Sequence, residues 1–122
     1  MNYIVIDQGT SSTKAFLFNS KKQIIHNNKI KHILKSPKKF YFESDPIEIL
    51  SSIEILFWEM VNKSGNTPIK SAGLSIQRST FMFWDKKTKQ PFSPAISWQD
   101  SRASKSMENT LKHRAKLWQI TG

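Results

Sequence analysis

Apolar and polar positions fall into two regimes: short strand-like runs near the start, then a long stretch with helical spacing. Tyr3-Ile4-Val5-Ile6 and Ala15-Phe16-Leu17-Phe18 are brief apolar runs, the second closed by the turn-forming Asn19-Ser20-Lys21-Lys22. Gln23 to Leu34 reads as a third strand at a sheet edge, with Ile24, Ile30 and Leu34 facing inward and Lys29 and Lys31 on the other face. A loop at Ser36-Pro37-Lys38-Lys39 leads through Phe40-Tyr41-Phe42 to a helix start. Asp45 suits the N-cap, Pro46 the first helical position, and Glu48 the partner position of a capping box. Ile47, Leu50, Ile53, Phe57, Met60 and Val61 then recur at three- and four-residue intervals, the stripe of a helix lying on a sheet. Gly65 fits the left-handed cap that ends it.

Lys70 to Gln77 reads as a fourth strand, parallel to the first because a whole helix intervenes. Thr80-Phe81-Met82-Phe83-Trp84 reads as a fifth, followed by a turn through Asp85 to Pro91. Ser101 to His113 reads as a second helix, capped by Asp100 or Ser101, with Ala103, Met107 and Leu111 inward; Arg114 to Gly122 closes the chain. The pattern predicts an α/β fold with a mixed sheet: an antiparallel meander over 2–34, a helix over 45–63, and two further strands before a second helix.

Composition narrows the classes. The 122 residues make one small domain, and 38% hydrophobic content with 8 Phe and 4 Trp supplies a core. No apolar run approaches the roughly 20 residues of a membrane helix. Residues 1–20 lack the basic and apolar regions of a signal peptide. With no cysteine there is no disulfide framework or thiolate metal site, in keeping with the cytoplasm. His26, His32 and His113 lack the spacing of a metal site and read as surface residues. The net charge of +10 resides largely in lysines at turns and edges, where solvated lysine guards against mispairing. Nucleic-acid binding is the functional alternative, but no recognised motif or dense Arg cluster accompanies the charge.

Two stretches carry candidate chemistry. Asp7-Gln8-Gly9-Thr10-Ser11-Ser12-Thr13-Lys14 is a hairpin turn with one carboxylate, several hydroxyls and a cation. Gly9 permits a close approach to the main chain, and Thr10 and Ser11 offer hydroxyl and N–H donors for an anion. Asp7, at a strand's C-terminal end, suits a Mg²⁺ that keeps its waters, and Lys14 adds positive charge. Ordinary solvated turn chemistry is the alternative. A P-loop is excluded, since a strand follows rather than a helix. The second stretch is Gln77-Arg78 at a strand end together with Trp98-Gln99-Asp100-Ser101-Arg102. Ligands of open α/β sheets bind beyond the carboxyl ends of strands. There an Arg fork can bind adjacent hydroxyls and an indole can wall a sugar's carbon chain. A surface Arg and a core Trp are the alternative.

Ile6-Asp7-Gln8-Gly9-Thr10-Ser11-Ser12 resembles the first phosphate hairpin of the sugar kinase, actin and heat-shock ATPase superfamily, in the form typical of the glycerol-kinase-like branch of the FGGY carbohydrate kinases. Phe42-Glu43-Ser44-Asp45-Pro46 is similar to the opening of that family's first helix. Gly73-Leu74-Ser75-Ile76-Gln77-Arg78, Trp84-Asp85, Pro91 and Ala95-Ile96-Ser97-Trp98-Gln99-Asp100-Ser101-Arg102 resemble the glycerol-kinase pattern that follows. Two departures stand out: Ser79 replaces a glutamate that binds glycerol, and Lys89 replaces a turn glycine. The second costs about 1 kcal/mol if the position needs φ > 0.

The resemblance implies a ribonuclease-H-like half-domain with a mixed sheet and flanking helices, and ATP- and Mg²⁺-dependent phosphorylation of a small polyol or sugar. Asp7 would be catalytic, holding Mg²⁺ through water. Gly9, Thr10, Ser11 and Lys14 would meet the nucleotide's phosphates, and Gln77, Arg78, Trp98, Asp100 and Arg102 the substrate. It covers residues 1–122 but only the opening of the family's first domain. The catalytic-base aspartate, second phosphate motif, adenosine site and second domain have no counterpart; Glu108 lies mid-helix in a polar stretch. The expectation is a first-domain portion, inactive by itself, whose partners are the remaining kinase segment or another copy. An inactive remnant or interaction module, or a basic nucleic-acid-binding domain, is the competing reading.

Overall fold

The computed structural model describes residues 1–121, and within its last two helices not the side chains at 105, 108, 109, 117, 120 and 121. Gly122 and the Glu108 side chain therefore lie outside the described residues. Three strands form the antiparallel meander: β1 (Asn2–Gln8), β2 (Ser12–Phe18) and β3 (Ile24–Lys31). The short β4 (Glu43–Ser44) precedes helix α1 (Pro46–Ser64), and β5 (Ile69–Ile76) returns parallel to β1. The sheet order is β3-β2-β1-β5, so the helix-containing crossover and mixed sheet are as expected. A two-residue β6 (Ala95–Ile96) pairs with β4, and α2 (Ser104–Leu111) and α3 (Arg114–Thr121) follow.

The core lies between one face of the sheet and α1. Ile4, Ile6, Ala15 and Leu17 meet Leu56 and Met60, with Ile30, Ile53, Phe57, Val61 and Ile69 packed around them. The Asp45 carboxylate accepts from Ile47 N at 2.8 Å and Glu48 N at 3.4 Å, giving the N-cap its side-chain bonds. Gly65 ends the helix with φ of 56°. The buried face of α1 is rotated from the predicted stripe. Ser52, Leu56, Met60 and Ser64 are buried, while Ile47 and Leu50 stay exposed beside β5.

Four sequence expectations are corrected. A register shift opposite Leu17 and Phe18 inserts one residue into β3 and turns Ile24 to the other face, leaving it exposed. His26 and His32 are half-buried rather than on the open surface. His26 bonds Glu59 at 2.8 Å and His32 bonds Thr13 at 2.7 Å. Residues 80–84 form no strand: single bridges join Phe81 to Ile96 and Trp84 to Pro91, and the Ser93 hydroxyl takes the Phe83 N–H. The ladder is broken because a side chain occupies a donor that a strand partner would need. Finally, α2 starts at Ser104, three residues later than expected, with the Asp100 carboxylate held by the Arg102 side chain; Ala103, Met107 and Leu111 are exposed.

Candidate functional site

Asp7 is the next-to-last residue of β1, on the face opposite the core, and the hairpin to β2 follows Gln8. The hairpin closes through Gly9 N donating to Ser12 O at 2.9 Å. A Cβ at Gly9 would lie 3.2 Å from that same carbonyl oxygen, a crowding that glycine avoids in this tight turn. Between these residues, the backbone N–H groups of Thr10 and Ser11 have no hydrogen-bond partner among the described residues. Adjacent free donors at a turn are what an oxyanion needs. Strand register then sets a polar row across the exposed face of the sheet: Ser75 beside Asp7, Asp7 beside Lys14, and Lys14 beside Lys29. The Asp7 carboxylate and Lys14 ammonium form no ion pair with each other.

The second constellation sits next to the hairpin. The β1–β5 ladder runs on past the strands through Gln77 N donating to Gln8 O at 2.9 Å. That places Gln77, Arg78 and Ser79 beyond the strand end, where with Trp98 they line a cleft of about 380 Å³. Ser79 has φ of 59°, a left-handed conformation that turns the chain sharply after Arg78. The two constellations, separated in sequence, are joined here. The Trp98 indole N–H donates to Thr10 Oγ1 at 2.9 Å, and the Thr10 hydroxyl donates to Gln77 Oε1 at 3.0 Å.

Asp100 and Arg102 are placed differently. They do not line the cleft; Arg102 grips both Asp100 oxygens, at 2.8 and 2.7 Å, and reaches Glu43 at 2.6 Å. The guanidinium carbon lies over the Tyr41 ring, 4.0 Å from its centre. Asp100 also accepts from Phe42 N at 2.8 Å, while Ser97 N donates to Phe42 O at 2.9 Å. The turn that carries Trp98 is thus clamped to the segment leading into α1. The Arg102 hydrogen bonds, aided by those from Phe42 N and Arg102 N, hold the Asp100 carboxyl well below the usual range; Asp100, in turn, raises the Arg102 guanidinium.

Sequence reading did not find Glu43 in this network, nor a second one behind the hairpin. Ser52 Oγ donates to Ile49 O at 2.7 Å, so Thr13 donates to Ser52 at 2.9 Å and accepts from His32 Nε2–H. The remaining His32 nitrogen, Nδ1, is buried without a partner, and burial lowers that ring's pKa against an opposing pull from Glu48. Spacing along the chain does not link these residues, which lie on β2, just past β3 and on α1.

No group of three or more His, Cys, Asp or Glu is poised for a metal among the described residues. Asp7 by itself fits a Mg²⁺ that retains its waters and shares phosphate oxygens, and does not fit an all-protein cage.

The structure is thus a mixed α/β domain with a free-donor hairpin at one strand end and an Arg-Trp cleft beside it. Comparison with known families matches residues 2–122 to the N-terminal domain of the FGGY family of carbohydrate kinases, and the chain belongs to that family. A glycerol kinase from Acinetobacter baylyi is 37% identical over 98% of this chain and 25% of its own length. One from Beijerinckia indica is 38% identical over 80% of this chain and 20% of its own. Plasmodium falciparum glycerol kinase with ADP superposes with a TM-score of 0.82 and 32% identity over 88% of this chain and 22% of that one. A ligand-bound xylulose kinase from Lactobacillus acidophilus, at 22% identity, shares the fold with a TM-score of 0.82 over 98% of this chain and 24% of its own. The ribonuclease-H-like half-domain is therefore the observed fold, and the chain spans about a fifth to a quarter of its relatives' length.

Proposed function

We propose that this chain supplies one wall of an ATP-dependent kinase site that phosphorylates a hydroxyl of a small polyol or sugar. The observation that carries the reading is adjacency: the free N–H pair at Thr10 and Ser11 lies one side chain from the Gln77-Arg78-Ser79-Trp98 cleft. Phosphoryl transfer needs a phosphate and a hydroxyl held side by side, and little else from the protein but charge.

In this reading the Thr10 and Ser11 N–H groups and Lys14 receive phosphate oxygens, with Gly9 keeping the turn tight. Asp7 would hold a hydrated Mg²⁺ accompanying the nucleotide, and the ion would supply charge neutralisation at the phosphates. Arg78 donates to neighbouring substrate hydroxyls, Gln77 adds its amide, and Trp98 presents an indole face to the carbon chain. Asp100 and Arg102 hold the Trp98 turn in place rather than meeting the substrate. The remaining kinase segment is the expected partner across the cleft. The competing basic nucleic-acid-binding reading has no comparable site, and its mark would be binding with a steep salt slope.

The experiment is a coupled ATP-consumption assay over a panel of polyols and ketoses, comparing the full-length kinase that contains residues 1–122 with its Asp7→Asn variant. The expected result is kcat reduced by at least about a hundredfold with sugar affinity little changed. An unaltered kcat removes Asp7 from the mechanism, and absence of any sugar-dependent turnover in the parent removes the reading itself.

A further inference from the structure

Thr10 belongs to the hairpin by sequence, yet its side chain serves the neighbouring cleft. A threonine hydroxyl has one proton to donate and two lone pairs to accept with. An indole N–H can only donate, so Trp98 occupies one lone pair at 2.9 Å, and the single Thr10 proton goes to Gln77 Oε1 at 3.0 Å. These contacts bridge 88 and 67 positions of sequence and have no part in strand pairing. Trp98 is 56% exposed, so surrounding core does not hold its ring. It is held at two points, the indole N–H on Thr10 and the backbone N–H on the Thr80 hydroxyl at 3.3 Å.

We infer that Thr10 is a positioning residue for the polyol pocket: one hydroxyl sets the Trp98 ring and the Gln77 amide, so the shape of the sugar wall depends on the phosphate hairpin. This rests on the kinase reading above. Two chemical consequences follow. The substrate meets the face of Trp98 and not its N–H, because that donor is taken. The Thr10 proton orients the Gln77 amide by one lone pair of its carbonyl, which leaves the NH₂ to donate to a substrate oxygen. Any phosphate bound at the Thr10 and Ser11 N–H groups steadies the same residue that sets the sugar wall, and the two ligands favour each other.

The test uses the full-length kinase that contains residues 1–122, with ¹⁵N-labelled tryptophan, the Trp98 indole resonance being assigned with Trp98→Phe. Thr10→Val keeps the shape and the backbone donors but removes the hydroxyl; Thr10→Ser restores it. The expected result is that Thr10→Val shifts the Trp98 indole N–H and speeds its solvent exchange, while Thr10→Ser leaves both near the parent. With xylitol and ATP as probes, Thr10→Val should raise the xylitol KM about tenfold, and by more than it raises the ATP KM. Thr10→Ser should recover the xylitol KM. An indole resonance indifferent to Thr10→Val overturns the inference. So does a raised ATP KM with an unmoved xylitol KM, which would make the hydroxyl a phosphate ligand. Lack of turnover with every polyol, alongside an indole that still follows Thr10, sinks the kinase reading and leaves Thr10's hold on Trp98 standing.

Discussion

Ser79 enters the cleft directly after Arg78 with φ of 59°, a conformation that costs a non-glycine residue about 1–2 kcal/mol. Its short hydroxyl leaves the space beside Arg78 open. Longer polyols and ketoses are therefore expected to outrank glycerol in kcat/KM, and Ser79→Glu to shift preference toward glycerol. A substrate panel in which glycerol ranks first for the parent would contradict this. Lys89 shares the left-handed conformation, with φ of 56°, so the strain foreseen for a lysine at that turn is present. Asp100 offers a pH test. Its carboxyl is depressed chiefly by Arg102, so its contribution is complete above the ordinary aspartate value near 4 and fades as pH falls below it. Thermal melts from about pH 6 to pH 2 should show a steep acid limb in the parent and a shallower one in Asp100→Asn. Parallel limbs would show that the clamp adds nothing to acid stability. Asp7, Arg78 and Trp98 were legible as candidates from residue type and strand ends, whereas the Arg102 clamp was not, because Glu43 and Tyr41 reach it only through folding.

At the scale of elements, α1 and the sheet define what can be removed. Leu56 is fully buried against the strands, while Ile47 and Leu50 are exposed. Leu56→Ala is expected to cost about 2–5 kcal/mol and Leu50→Ala about 0.5 kcal/mol or less. Denaturant melts yielding equal losses would mean that the helix packs on another face. The spacing predicted the helix and both its ends, since caps and periodicity are local properties. The rotation of its face was not legible: apolar residues occur on more than one side, and contact with β1 and β2 selects Leu56 and Met60. Residues 80–84 mislead for a related reason. An apolar run favours a strand only where neighbouring donors and acceptors complete it, and here Ser93 interrupts the ladder.

At the scale of the molecule, the candidate site is open. Asp7, Arg78 and Trp98 are all exposed, and water would compete for each contact and screen each charge. Alongside runs an apolar groove between α1 and the end of β5, lined by Ile47, Leu50, Ile53, Ile76, Phe81 and Met82. The β5 strand ends the sheet, with Leu74 56% and Ile76 64% exposed. Residues 1–122 by themselves are expected to give no sugar-dependent ATP consumption and to bind a hydrophobic dye strongly. Turnover above background that disappears on Asp7→Ala would refute the first expectation, and a dye signal at baseline the second. The net charge of +10 favours approach of a polyanionic nucleotide but contributes nothing to the geometry.

Local rules in the sequence determined the order of the four strands of the main sheet and α1, the N-cap at Asp45, the glycine in the hairpin and the parallel return of β5. Each depends on periodicity or on chain connectivity within a few turns of backbone. The same residues determined the family, through the hairpin and the Arg78 and Trp98 segments. Tertiary structure alone decided which face of α1 is buried, that Ile24 turns outward, and that Asp100 and Arg102 clamp a turn. It also decided that Thr10 lies between Trp98 and Gln77. Those outcomes turn on which side chains meet across elements, and a hydroxyl's partners are set by distance in space, which spacing along the chain does not encode.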